Sequence, residues 1–369
     1  MEVFMKIGFV GCGNISGIYL TNIGNMFKNI EIAGICDLVR EKAEKQAEKF
    51  GIKKIYKDMY ELFDDPEVDI VLNITRPYEH YGVTKAALLA GKHVYSEKPL
   101  GITMEEGREL VELAEEKGLY LGGAPDTFMG AGIQTARRLI DEGVIGKIVG
   151  ANAHMLGRGP EGWHPDPEFF YKKGGGPMLD MGPYYVTCLV NLLGEAESVT
   201  AFGRISFPQR VIGSEPHKGE IIDVEVDTFT TGAIRFTSGA IASLSVSFDT
   251  YAERGTFIEI FGEKGSILVP DPNFFGGSVK LLTPGKGYEE FPLDPGFTGN
   301  SRAIGLSDMA DAIENGRFHR ANYKQQLHVL EIMSAYTKSS RENAPVKIES
   351  RYERQPAVDP DKICGVYQK

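Results

Sequence analysis

Along the first third of the chain, short apolar runs alternate with stretches whose apolar residues recur at helical spacing. Lys6–Val10, Ile30–Cys36, Asp69–Ile74, His93–Tyr95 and Leu119–Leu121 are predicted strands. Helices are predicted from the first glycine loop to about Phe27, over Arg40–Phe50 with Ala43 and Ala47 one turn apart, over Tyr78–Ala90, and over Met104–Lys117 with Gly118 as C-cap. Wholly apolar strands alternating with helices require cover on both faces, which implies a doubly wound parallel sheet ending near Asp126.

The pattern then changes. Ala131–Glu142 and Pro183–Leu193 read as helices, and from Val199 to Val269 the chain alternates in period 2, as in Ala240–Phe248. Glycines 232, 239, 255, 262 and 265 punctuate this stretch, which predicts a large, mostly antiparallel open sheet of long strands. The second face of such a sheet needs a cover, which predicts a homo-oligomer, a dimer or tetramer, formed through it. Two helices follow, around Ser301–Asn315 and Tyr323–Ser339.

Length and charge narrow the classes. A chain of 369 residues suits two domains. A formal net charge of −11 disfavours nucleic acid and anionic membrane as partners. The start at Met1–Phe4 carries no secretory pattern, and no run approaches the roughly 20 apolar residues of a membrane span. Cys12, Cys36, Cys188 and Cys364 are scattered, as expected of reduced thiols in a cytoplasmic protein, and no metal-ligand spacing occurs.

Gly11-Cys12-Gly13-Asn14-Ile15-Ser16 follows a strand and opens a helix. The first glycine permits the tight turn, and the second lets backbone approach a pyrophosphate at the helix N-terminus. Serine takes the third place and is small enough for close helix–strand packing. Asp37 ends the second strand 24 residues after Gly13, near the spacing of about 20 for an acid on a ribose 2′-hydroxyl. It favours NAD over NADP. Arg40, nearby, is the residue that would serve a 2′-phosphate.

Ser96-Glu97-Lys98-Pro99 follows another strand of the parallel sheet, where ligands of such sheets bind. A lysine there can stabilise a developing alkoxide. Gly174-Gly175-Gly176 precedes Asp180, which is either the N-cap of the next helix or a carboxylate for a sugar hydroxyl. With Ala124-Pro125-Asp126 and the large sheet, these residues resemble the glucose–fructose oxidoreductase, inositol dehydrogenase and MocA (Gfo/Idh/MocA) family over nearly the whole chain.

The resemblance implies a Rossmann domain over residues 1–126 and a substrate-binding and oligomerisation α/β domain over 127–369. It implies NAD or NADP, substrates among sugars, cyclitols and related polyols, a catalytic Lys98 beside a cis Lys98–Pro99 bond, and Asp180 as the family's acid. Many members carry a histidine where this chain has Tyr184. A free tyrosine has a pKa of about 10, and a neighbouring ammonium favours proton exchange. Tyr184 and Lys98 are therefore expected to share the proton work. Gly11, Gly13, Asn14, Ile15, Asp37, Thr75, His80, Glu97 and Lys98 are the expected cofactor contacts; Asp126, Trp163, His164 and Asp180 are those for substrate, with His154 and Arg158 as further candidates.

The sequence thus predicts an NAD(P)-dependent oxidoreductase acting on a secondary alcohol of a carbohydrate-like substrate. Two alternatives use the same residues: a redox-assisted glycosidase whose NAD never dissociates, and a non-enzymatic dinucleotide sensor.

Overall fold

The structure, a computed structural model, describes residues 5–252 and 256–359. The start at Met1–Phe4, Gly255 and the thiol of Cys364 lie outside the described residues. The chain forms two compact units, one of Met1–Ala131, Asp294–Leu327 and Gln355–Lys369, the other of Gly132–Leu293 and His328–Arg354. A single cut at 126/127 does not describe this packing, because the later segment 294–327 returns to the first unit. Its helix Ile304–Asn315 has Ile304, Leu306, Met309 and Ala312 buried.

In the first unit, strands β1 (Met5–Val10), β2 (Ile30–Cys36), β3 (Ile70–Asn73), β4 (His93–Ser96) and β5 (Leu121–Gly123) form one parallel sheet in the order β2-β1-β3-β4-β5. Ile7, Phe9, Ile35, Leu72 and Val94 are fully buried in it. The register aligns the strand ends: Val10 pairs with Cys36 and Asn73, Asn73 with Ser96, and Ser96 with Gly123. The residues that follow therefore leave the sheet at one edge, around the point where strand order reverses. The predicted helix Arg40–Phe50 is present as such, and Gly118 closes Met104–Lys117 in the left-handed conformation. A short helix, Met59–Asp64, adds to the predicted set; Asp58 caps it by accepting from the N–H groups of Tyr60 and Glu61.

The second unit holds a nine-stranded mixed sheet. Its strands are β6 (Ile148–Leu156), β7 (Ala196–Arg204), β10 (Phe229–Phe236), β11 (Ile241–Ser247), β12 (Thr256–Gly262), β13 (Ser266–Val269), β14 (Val279–Leu282), β15 (Tyr288–Phe291) and β16 (Val346–Lys347). The intervening β8 (Gln209–Val211) and β9 (Ile221–Asp223) pair only with each other. The sheet order is β15-β14-β13-β12-β6-β11-β10-β7-β16, and β6 runs parallel to β11. One face carries Ala153, Ile234, Leu244, Ile258 and Ile267, all buried. The helix Gly182–Leu193 is buried at every residue. The other sheet face is more open, with Asn152 and Ser243 exposed and Phe202 at 62%. The expected run of long strands is broken at 205–228, where Pro208, Gly213, Pro216 and Gly219 divert the chain into the β8–β9 hairpin.

Candidate functional site

The glycine loop is shaped by backbone. Gly11 leaves β1 at φ +106°, and a Cβ there would lie 2.8 Å from the Ile74 carbonyl oxygen. Only glycine fits. Its N–H donates to Cys36 O at 2.9 Å. The N–H of Cys12 donates to Asp37 Oδ2 at 2.7 Å and that of Val39 to Oδ1 at 2.8 Å, so Asp37 ties the loop to the end of β2. Gly13 and Asn14 are exposed and Ile15 is half-buried. Ser16 is buried and its hydroxyl donates to Gly13 O at 2.6 Å, so the serine also braces the turn.

The helix that follows, α1 (Ser16–Asn25), has no side-chain cap and no acid in its first turn. Its N-terminal N–H groups, beside a loop with room above Gly13, fit a dinucleotide pyrophosphate. Arg40 pairs with Glu44 at 2.9 Å along its own helix. Burial pushes the thiols of Cys12 and Cys36 up to about 12, which keeps both protonated at neutral pH.

At the ends of β3 and β4 a polar lattice forms. The Asn73 side-chain amide donates to His80 O and Thr84 Oγ1, each at 3.0 Å, while Asn73 Oδ1 accepts from the Thr75 hydroxyl at 2.7 Å. Thr75 thus sits against the end of β3. His80 does not present its ring outward: it is 1% exposed, with Nδ1 3.0 Å from Pro99 O and Nε2 3.1 Å from Thr75 O. Burial lowers its pKa, and a neutral imidazole donates from only one nitrogen. The ring lies between two loops and can donate to one of these two carbonyls.

Glu97 N–H donates to Asn73 O at 2.8 Å. The Glu97 carboxylate accepts from Tyr19 Oη at 2.8 Å and from the Lys98 N–H at 3.1 Å. The Lys98–Pro99 bond is cis, and Lys98 is half-buried. Asp126 faces inward: it is 1% exposed, and Oδ2 accepts from Ala303 and Gly305 N–H, each at 3.1 Å. Burial pushes its carboxyl up to about 6. The two bonds place Asp126 at the start of the Ile304–Asn315 helix.

In the second unit, Asp180 closes the five-residue helix Gly176–Asp180 and is half-buried. The next helix has Met181 at its N-cap position without a side-chain bond, so Asp180 is not its cap. Tyr184 is 9% exposed in the first turn of that helix. Trp163 is 69% exposed. His164 meets Trp163 edge-on at 5.5 Å and Phe170 at 5.1 Å, and its Nδ1 accepts from Asp166 N–H at 3.0 Å. His154 stacks on Phe257 at 5.1 Å, and Arg158 lies 4.8 Å above the Tyr251 ring.

The sequence reading missed Tyr19, and it missed a buried cluster of Arg210, Glu161, Asp249 and Tyr171. Residues so far apart in the chain carry no shared spacing. Among the described residues, no group of three His, Cys, Asp or Glu is placed to hold a metal, and no helix is long and apolar enough to cross a membrane.

Known proteins share this architecture. Residues 5–123 match the family described as "Oxidoreductase family, NAD-binding Rossmann fold", and residues 133–268 match "GFO/IDH/MocA C-terminal domain". The chain is 31% identical over 280 residues to 1,5-anhydro-D-fructose reductase of Ensifer adhaerens, covering 72% of this chain and 76% of the relative. It is 25% identical over 350 residues to scyllo-inositol 2-dehydrogenase (NAD(+)) of Bacillus subtilis, covering 95% and 98%. A solved levoglucosan dehydrogenase, in complex with NADH and levoglucosan, matches with a TM-score of 0.82 at 22% identity over 94% of this chain and 100% of that one. At that identity the likeness is one of fold.

Proposed function

The chain belongs to the Gfo/Idh/MocA family of NAD(P)-dependent oxidoreductases, and from that premise we propose that it moves a hydride between NAD and a secondary alcohol of a sugar, cyclitol or related polyol. One observation carries the reading. Glu97, bonded to Tyr19 and to the Lys98 N–H, fixes Lys98 at the carboxyl edge of the sheet, beside the exits of β1 and β3. Relatives named for anhydrofructose and scyllo-inositol support the substrate class.

Gly11, Gly13, Asn14 and Ile15 would hold the pyrophosphate at α1, with Thr75 and the Glu97–Lys98 backbone lining the nicotinamide side. Asp37 keeps lone pairs for ribose hydroxyls beside its two backbone bonds, and Arg40 is engaged by Glu44; both favour NAD. When bound, the nicotinamide supplies or accepts the hydride. Lys98 stabilises negative charge on the substrate oxygen, Tyr184 and Lys98 share the hydroxyl proton, and Asp180 orients the substrate. Trp163 and His164 offer aromatic surface to its C–H face. The protein is a cytoplasmic homo-oligomer in this reading, supported by the free buried thiols Cys12, Cys36 and Cys188 and by the open sheet face.

The test is mass analysis of nucleotide released on denaturation, followed by a panel of polyols read at the NADH band. Free NADH formed in step with one polyol is the expected result. NAD retained through turnover without free NADH contradicts it in favour of the redox-assisted glycosidase, and nucleotide binding without any turnover contradicts it in favour of a sensor.

A further inference from the structure

The loop that carries Trp163 is tied down by buried charge that the proposed hydride chemistry does not use. Arg210 lies on β8 with its side chain 4% exposed. Its Nη1 donates to Glu161 Oε1 at 2.9 Å, and its Nη2 donates to Phe248 O at 2.9 Å and to Asp249. Tyr171 donates to the other Glu161 oxygen, and the Thr228 hydroxyl donates to Asp249 Oδ2 at 2.6 Å. The guanidinium also lies 5.4 Å from the Tyr171 ring centre. Segments around residues 161, 171, 210, 228 and 249 thus converge on one cation.

A second set of bonds runs from the same hairpin to the loop. Gly213 N–H donates to Glu161 O at 2.8 Å, and the Ser214 hydroxyl donates to His164 O at 2.5 Å. Packing is close enough that a Cβ on Gly159 would collide with Tyr171 Oη and Glu161 Oε2. Trp163 follows the turn Pro160–Gly162, its N–H bonded to Pro160 O at 3.1 Å.

The combination is unusual for a surface loop: a backbone fixed on both sides, and a large aromatic ring left 69% exposed on it. Removing one partner of a buried ion pair is strongly disruptive, so such a cluster fixes one arrangement. A rigid, exposed indole suits the C–H face of a ring-shaped ligand, because no ordering of the loop is needed on binding.

We propose that Arg210 is a positioning residue that holds the Trp163–His164 loop as a preformed wall for a cyclic polyol, setting affinity and ring-over-chain preference without touching the substrate. The proposal rests on the polyol oxidoreductase function given above.

Trp163 is the one tryptophan of the chain, so its emission reports this loop alone. The measurements are acrylamide quenching of Trp163, NADH affinity, and kcat and KM for the best cyclic polyol of the panel and for sorbitol as an open-chain comparison. They are made on the full-length protein and on Ser214→Ala, Arg210→Lys and Arg210→Met. Loss of the Ser214 bond is expected to raise KM for the cyclic polyol about fivefold and to increase quenching. The kcat, the NADH affinity and the KM for sorbitol stay within twofold of the parent on the order of experimental scatter. Arg210→Met moves the same quantities further, and Arg210→Lys recovers part of the change. If Arg210→Met does not fold, Ser214→Ala decides. Unchanged quenching and unchanged KM in a folded Ser214→Ala variant overturn the proposal. Absence of polyol turnover by the unaltered protein overturns the function and this inference with it, whereas turnover with an indifferent Trp163 overturns the inference alone.

Discussion

The glycine loop and the Trp163 loop are held by opposite means. Around Gly11 the shape comes from backbone: a left-handed glycine against Ile74 O, a bond to Cys36 O, and one carboxylate, Asp37, gathering two N–H groups. Around Trp163 it comes mainly from side chains, with Arg210, Glu161, Asp249 and Tyr171 reaching in from distant parts of the second unit beside one backbone bond from Gly213 N–H to Glu161 O. Backbone N–H groups suit a ligand part that is always the same, such as a pyrophosphate. Buried side-chain pairs instead fix one arrangement of a loop by contacts from distant parts of the chain.

The sharpest way to divide chemistry from binding in this contrast is Lys98→Met. Turnover is expected to fall by about 10³-fold, with NADH affinity unchanged by fluorescence titration. A proportionate loss of both would make Lys98 a cofactor contact only.

Asp126 extends the comparison to buried carboxylates. It is held by the N–H groups of Ala303 and Gly305, whereas Glu161 and Asp249 share a cation. Its carboxyl titrates at about 6, against an ordinary 3.8, because burial penalises the charge. Between those values the folded chain keeps a proton that the unfolded chain has lost. Stability from this group is therefore complete below about pH 4 and is lost as pH rises through about 6, by roughly 2–3 kcal/mol. Denaturant melts across pH 4–7 should show that slope, and Asp126→Asn should remove it.

A smaller effect should break the backbone-built loop directly. Gly11→Ala places a Cβ against Ile74 O in a left-handed conformation, which costs on the order of 1–2 kcal/mol before the clash is counted. NADH affinity should drop at least about tenfold by titration. Least of all, Asp37→Ser should weaken NADH by roughly fivefold and narrow the gap to NADPH; an unchanged ratio of the two affinities would show that Asp37 serves only Cys12 and Val39.

These differences explain what the sequence disclosed. Gly11, Gly13 and Asp37 lie close along the chain, and their chemistry is written in residue type and spacing, as is the parallel sheet in its wholly apolar strands. Strand β5 lies two residues beyond the predicted run, because pairing from Val94 to Leu121 follows backbone register rather than side-chain polarity. Strand β6, between a helix and a glycine-rich loop, is not among the predicted strands, although it is central to the large sheet. His80 and Asp126 follow strands β3 and β5, but which way a side chain turns there depends on carbonyls and helix ends that arrive from elsewhere, here Pro99 O and the N–H groups of Ala303 and Gly305. Arg210 is invisible in the sequence for the same reason, since its hydrogen-bond partners Glu161, Phe248 and Asp249 come from two distant segments.

The central claim is hydride transfer from a polyol carbon to NAD, and isotope transfer tests it most directly. The protein is incubated with NAD and the best polyol of the panel carrying deuterium at the reacting carbon, and the nucleotide is recovered for mass analysis. The account predicts free reduced nucleotide carrying one deuterium per molecule of polyol oxidised. Reduced nucleotide without the label, or polyol converted with no free reduced nucleotide, would contradict it.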